Sequence, residues 1–160
     1  MGKRRLAVIL IAVTGLLGVA GTTGGALADN GRAGDFEAKL SGPQEVPGPF
    51  DPDGDGEADI EFDLDAAEVC FKLEWDNIAA PTLAHIHRGA AGVPGPIVVN
   101  LFTPAPFDLD QLERRDSVKG CVSADVAVLN EIAAAPASFY VNFHNARFPA
   151  GAVRGQLEED

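Results

Sequence analysis

Apolar and polar residues alternate with a period of two through the middle of the chain, most plainly over Ala58-Asp59-Ile60-Glu61-Phe62-Asp63-Leu64 and Val69-Cys70-Phe71-Lys72-Leu73-Glu74-Trp75. Successive side chains of a β-strand point to opposite faces, so each run predicts a half-buried strand. The first buries Ala58, Ile60, Phe62 and Leu64 and the second Val69, Phe71, Leu73 and Trp75, with a turn at Asp65-Ala66-Ala67 joining them into a hairpin. Further strands are expected over residues 36–40, 83–88, 97–102, 117–122, 139–144 and 152–157, separated by Gly- and Pro-rich connections. One segment breaks the period. Ser123 is a suitable N-cap, residues 124–133 place Val128, Leu129 and Ile132 on one side of a helix, and Pro136 stops it. Seven or eight short strands with one crossover helix predict an all-β fold, a sandwich or barrel.

The N-terminus changes the domain count. Lys3-Arg4-Arg5 precedes an uncharged apolar stretch from Leu6 to Ala20, and Ala26-Leu27-Ala28 supplies the small residues of a signal-peptidase site. Residues 1–28 are therefore expected to be a signal peptide, residues 29–34 a flexible tether, and residues 35–158 a single domain. This places the mature chain outside the cell, secreted or held at the cell surface, with no membrane span of its own. Loss of Lys3, Arg4 and Arg5 leaves nine basic residues against 24 acidic ones, so the net charge of −12 becomes −15. A field of that sign repels phosphate backbones and excludes nucleic acid as a partner. Cys70 and Cys121 are the two cysteines, and an exported chain allows them to pair as a disulfide.

The candidate chemistry lies in the histidines. His85-Ile86-His87 and Asn142-Phe143-His144 hold all three, and the alternation that sends Ala84, Ile86, Phe139, Val141 and Phe143 inward sends His85, His87, Tyr140, Asn142 and His144 outward. Cys70 shares that outward sense, so the disulfide is a further candidate for the same face. If their strands are neighbours, the three imidazoles can hold one copper or zinc ion, with water or Tyr140 completing the shell. They can equally hydrogen-bond to loop backbone such as residues 89–96 and brace it. Arg147 is placed to steer an anion to such a site or to form a surface ion pair.

A second constellation, Asp51-Pro52-Asp53-Gly54-Asp55-Gly56-Glu57-Ala58-Asp59, resembles the start of a calcium loop, with Asp51, Asp53, Asp55 and Asp59 as donors. It lacks the closing glutamate, Phe62 standing in its place, and it also reads as a solvated acidic turn. Ser41, Ser117, Ser123 and Ser138 occur in no nucleophile elbow, residues 89–96 lack the lysine of a phosphate loop, and Asp108 and Asp110 are one of many carboxylate pairs. The chain is not expected to be an enzyme.

Three ordered stretches carry a resemblance: Gly42-Pro43-Gln44-Glu45-Val46-Pro47, the run from Ala84 to Gly92, and Phe148-Pro149-Ala150-Gly151-Ala152-Val153-Arg154-Gly155-Gln156-Leu157. Over residues 35–158 the chain resembles the CHRD (chordin) domain family, of the kind found in secreted bacterial proteins. That resemblance implies an immunoglobulin-like Greek-key β-barrel with distant similarity to the copper/zinc superoxide dismutases, and no settled activity. His85-x-His87 is similar to the copper-binding histidine pair of those enzymes, whereas the histidine that bridges two metals has no counterpart here. Two readings follow. The first is an extracellular binding or structural module facing a protein or cell-wall ligand; the second is a mononuclear copper- or zinc-binding protein using His85, His87 and His144, with redox activity open to it.

Overall fold

The two alternating runs form β2 (Asp55–Asp63) and β3 (Glu68–Asp76), paired antiparallel with Ile60 opposite Phe71 and Ala58 opposite Leu73. Their turn closes where Asp63 Oδ1 accepts the Ala66 N–H at 2.8 Å and Ala67 takes a positive φ of 55°. The computed structural model describes residues 32–103 and 116–160. The expected signal peptide, residues 29–31 of the tether, and Asp108 and Asp110 lie outside the described residues.

The remaining strands are β1 (Arg32–Ser41), β4 (Leu83–Arg88), β5 (Ile97–Phe102), β6 (Ser117–Ser123), β7 (Phe139–His144), β8 (Val153–Gln156) and β9 (Glu158–Glu159). They form one antiparallel sheet in the order β5-β4-β7-β8-β1-β2-β3-β6, with β9 added beside β1. The ends of this path, β5 and β6, come together, so the sheet curls into a nearly closed barrel. Around the closure the order β3-β6-β5-β4 is a Greek key, three consecutive strands with β3 returned beside β6. The all-β barrel with one short helix is thus the architecture expected from the alternation.

Inside lie the predicted inward residues, among them Phe36, Ile60, Phe62, Val69, Leu73, Ile86, Val141 and Phe143, all buried. Helix α1 (Val126–Ala134) adds Leu129 and Ile132, both fully buried, to this core. Its N-cap is Asp125, whose carboxylate accepts the Ala127 N–H at 2.8 Å, and not Ser123 as the sequence suggested. β1 also starts earlier than expected. Arg32 already pairs with Asp63, so the strand reaches into the predicted tether, with an irregularity before Asp35.

Cys70 and Cys121 face each other across β3 and β6 and form a disulfide, with Cα atoms 4.0 Å apart. This bridge belongs to strands that do not neighbour β4 or β7, which corrects the expectation that it shares a face with the histidines. Among the described residues, no helix is long and apolar enough to cross a membrane.

Candidate metal centre

β4, β7 and β8 are consecutive neighbours, and their register builds the site. His85, Asn142 and Arg154 form one cross-strand row, and His87, Tyr140 and Gln156 the next, with His144 opposite Leu83. Alternation puts all of these side chains on the face away from the barrel core, as the sequence indicated. That face is not open to solvent, however. Every residue of β7 is buried, and His85 and His144 are only 5% and 7% exposed.

Three loops provide the cover. The 89–96 loop places the Gly95 carbonyl 2.9 Å from His87 Nδ1, and the loop after β7 places the Pro149 carbonyl 3.1 Å from His144 Nδ1. The third loop, after β1, brings the buried Glu45 carboxylate onto the Asn142 amide, 97 positions away, while its other oxygen accepts the Val46 N–H at 3.0 Å. Burial is the main influence on Glu45 and raises its pKa, against the opposing effects of these bonds and of Arg154.

These contacts fix the tautomers of two imidazoles. A carbonyl accepts only from N–H, so His87 and His144 carry their protons on Nδ1 and leave Nε2 bare. His85 Nδ1 lies 3.2 Å from His144 Nε2 and donates to it. His87 Nε2 is buried and has no hydrogen-bond partner among the described residues. One ligand atom from each ring lies within 4.8 Å of the others. An ion bonded to nitrogen at about 2.0–2.1 Å holds its ligands roughly 3.3–3.6 Å apart, so the pair at 3.2 Å is already close to that spacing, and the third ring stands within the same 4.8 Å cluster. The carbonyls behind His87 and His144 are the outer partners that orient metal-bound imidazoles. The three histidines therefore form a buried triad that can bind a metal.

Electrostatics keeps the triad neutral. Burial lowers the pKa of His85 to about 4, helped by His144 and then His87. Burial likewise lowers His87 and His144, against the opposing pull of the Gly95 and Pro149 carbonyls. A depressed folded-state pKa means that the unfolded chain binds protons first as pH falls. The metal-free protein is thus expected to hold its full histidine contribution above about pH 6.5 and to lose it progressively toward pH 4, with His85 accounting for about 3 kcal/mol. Urea unfolding at stepped pH measures this, and a flat stability between pH 7 and 4.5 would show that the imidazoles are not buried as neutral groups.

Tyr140, offered by the sequence beside water as a fourth ligand, has its hydroxyl engaged by the covering loop. Its hydroxyl accepts the Gly95 N–H at 3.2 Å, which holds it at the same residue that receives His87 Nδ1–H, and its ring stacks on His87 at 4.8 Å and 7°. Arg147 is exposed and lies over the Phe148 ring, 5.2 Å from its centroid.

The acidic constellation does not converge. Asp51 is buried in the loop, whereas Asp55 and Asp59 stand on the outward face of β2, Asp59 within 3.8 Å of Lys72. Among the described residues, no cluster of three metal-type donors includes Asp51, Asp53, Asp55 or Asp59. The other close cluster, Glu68 with Cys70 and Cys121, has both sulfurs committed to the disulfide and offers no thiolate.

Sequence reasoning passed over Glu45 and Arg154 as site residues, although both lie in stretches that carried the resemblance. Those three stretches meet at this face, one through Glu45, one through His85 and His87, one through Arg154 and Gln156. A glycine of the 89–96 loop serves the same cover. A Cβ at Gly95 would overlap the Arg88 carbonyl oxygen. Gly95→Ala is expected to displace the loop, costing about 1–3 kcal/mol and withdrawing the carbonyl from His87. Thermal unfolding and the His87 ring resonances report the two effects separately.

The model of the family described as CHRD domain matches residues 36–157. No curated protein and no solved structure matches the chain. The match begins in β1 and ends just after β8, so it takes in every strand that carries or covers the triad, and the chain belongs to the CHRD domain family.

Proposed function

We propose that this CHRD domain is a mononuclear metal-binding module, exported from the cell, in which His85 Nδ1, His87 Nε2 and His144 Nε2 hold one copper or zinc ion. The observation that carries the reading is the buried, partnerless His87 Nε2 on a ring that forms one close cluster with His85 and His144. Burying a polar atom without a partner costs free energy, and a bound ion removes that cost. The donor set is chemically suitable, because neutral imidazoles favour copper and zinc over calcium or magnesium. The leader-like N-terminus and the disulfide support export. In this reading the domain binds, carries or displays its metal, with no catalysed reaction assigned.

The triad also sets a specific test. In the metal-free protein His85 carries its proton on Nδ1, and ligation through that atom moves the proton to Nε2. Nitrogen-detected NMR of the histidine rings is expected to show this tautomer change at His85 on addition of one equivalent of Zn2+ or Cu(I), with His87 and His144 keeping Nδ1–H. Unchanged tautomers and shifts at one equivalent of either ion would reject the site.

A further inference from the structure

We propose that Arg154, acting through the Tyr140 ring, makes the triad select a singly charged ion, Cu(I), over doubly charged Zn2+ and Cu2+. The inference rests on the histidine site proposed above and concerns the charge of the ion it takes.

β7 lies between β4 and β8, so Tyr140 has His87 opposite it on β4 and Gln156 on β8, while Arg154, two positions before Gln156, lays its guanidinium over the Tyr140 ring. The guanidinium carbon sits 3.4 Å from the Tyr140 ring centroid, and the same ring is nearly parallel to the His87 imidazole. Arg154 is 1% exposed, so its charge is little screened by solvent. Its Nη2 donates to neutral acceptors, Ala90 O at 2.8 Å and Gln156 Oε1 at 3.0 Å, while Nη1 is buried without a partner. The neighbouring carboxylate, Glu45, is felt by Arg154 through space, but its oxygens accept from the Val46 N–H and Asn142, and among the described residues no salt-bridge contact joins it to the guanidinium.

The ligand set supplies no negative charge to offset this cation, since it is three neutral imidazoles without a carboxylate or thiolate. An ion in the triad therefore keeps its full charge inside a buried site that faces a fixed positive group. Doubling the ion's charge doubles its repulsion from Arg154 and quadruples the cost of taking it out of water. Coordination number acts in the same direction. Zn2+ in protein sites takes four ligands, and the Tyr140 hydroxyl is already held by Gly95, so the protein offers three. Arg154 touches neither ion nor ligand; it is a specificity-determining residue that acts through Tyr140 and His87.

The test uses the purified full chain, with Cu(I) affinity measured anaerobically against a chromophoric chelator and Zn2+ and Cu2+ affinities measured against matched competitors. The wild type is expected to bind Cu(I) at least a hundredfold more tightly than Zn2+. Arg154→Gln keeps a planar hydrogen-bonding group and removes the charge, and it is expected to narrow that ratio about tenfold or more, whereas Arg154→Lys keeps most of it. A loss of packing alone would weaken both ions together and leave the ratio unchanged. Zn2+ bound by the wild type as tightly as Cu(I), or a ratio unmoved by Arg154→Gln, overturns the inference while leaving the histidine site standing. Should Arg154→Gln not fold, Arg154→Met, which also removes the charge, takes its place, and a ratio that it leaves unmoved overturns the inference. Failure of all three ions to bind would instead overturn the site itself.

Discussion

His87→Ala is expected to weaken copper binding at least a hundredfold while leaving the barrel folded. His87 donates the one triad nitrogen that has no other partner, so its removal deletes a ligand without opening the core, which lies on the opposite face of β4. Competition titration measures the loss, and far-ultraviolet circular dichroism checks the fold. His144→Ala is expected to give a similar loss at a greater cost in stability, because His144 is the more buried ring and holds the Pro149 loop. An Asp53→Asn or Asp59→Asn variant should leave copper binding unchanged, since neither carboxylate belongs to the cluster. Equal binding by His87→Ala and the wild type would remove the triad from consideration.

The second large effect concerns the disulfide. The Cys70–Cys121 bridge closes a loop of 51 positions that contains β4 and β5, and with them two of the three histidines. Cross-linking so long a loop restricts the unfolded chain, and the double variant Cys70→Ala/Cys121→Ala is expected to be about 3–4 kcal/mol less stable in denaturant unfolding. The bridge sits on the outer face of β3 and β6, away from the β4 and β7 site. Metal affinity of the folded double variant should therefore match that of the wild type. A loss of less than about 1 kcal/mol would mean that the cross-strand pairing already holds these strands without the bond.

Much of this arrangement was legible because a strand's period is short and local. Ile60, Phe62, Phe71 and Leu73 announced β2 and β3, and His85-x-His87 announced two rings on one side of a strand. What period two conveys is which side of the sheet a residue takes, and nothing about whether that side is covered. Phe139 to His144 alternates as a half-exposed strand would, yet all six residues are buried. Cover comes from Glu45 and from the Gly95 and Pro149 carbonyls, and two of these depend on loop conformation alone. The acidic run illustrates the opposite error. Its spacing suits a calcium loop, but strand formation from Asp55 onward spreads the carboxylates along an extended backbone and commits Asp59 to a position beside Lys72. At the helix start the sequence pointed to Ser123 as the cap, but Ser123 pairs with Glu68 at the end of β6 and the role falls to Asp125.

X-ray absorption at the metal edge, after one equivalent of Cu(I) has been added and the protein desalted, decides whether the triad holds a metal. One retained copper per chain is expected, with a shell of three nitrogens at about 2.0 Å and the outer-shell scattering of imidazole rings. Copper removed by desalting, or a retained ion whose shell is oxygen or sulfur without imidazole, would contradict it.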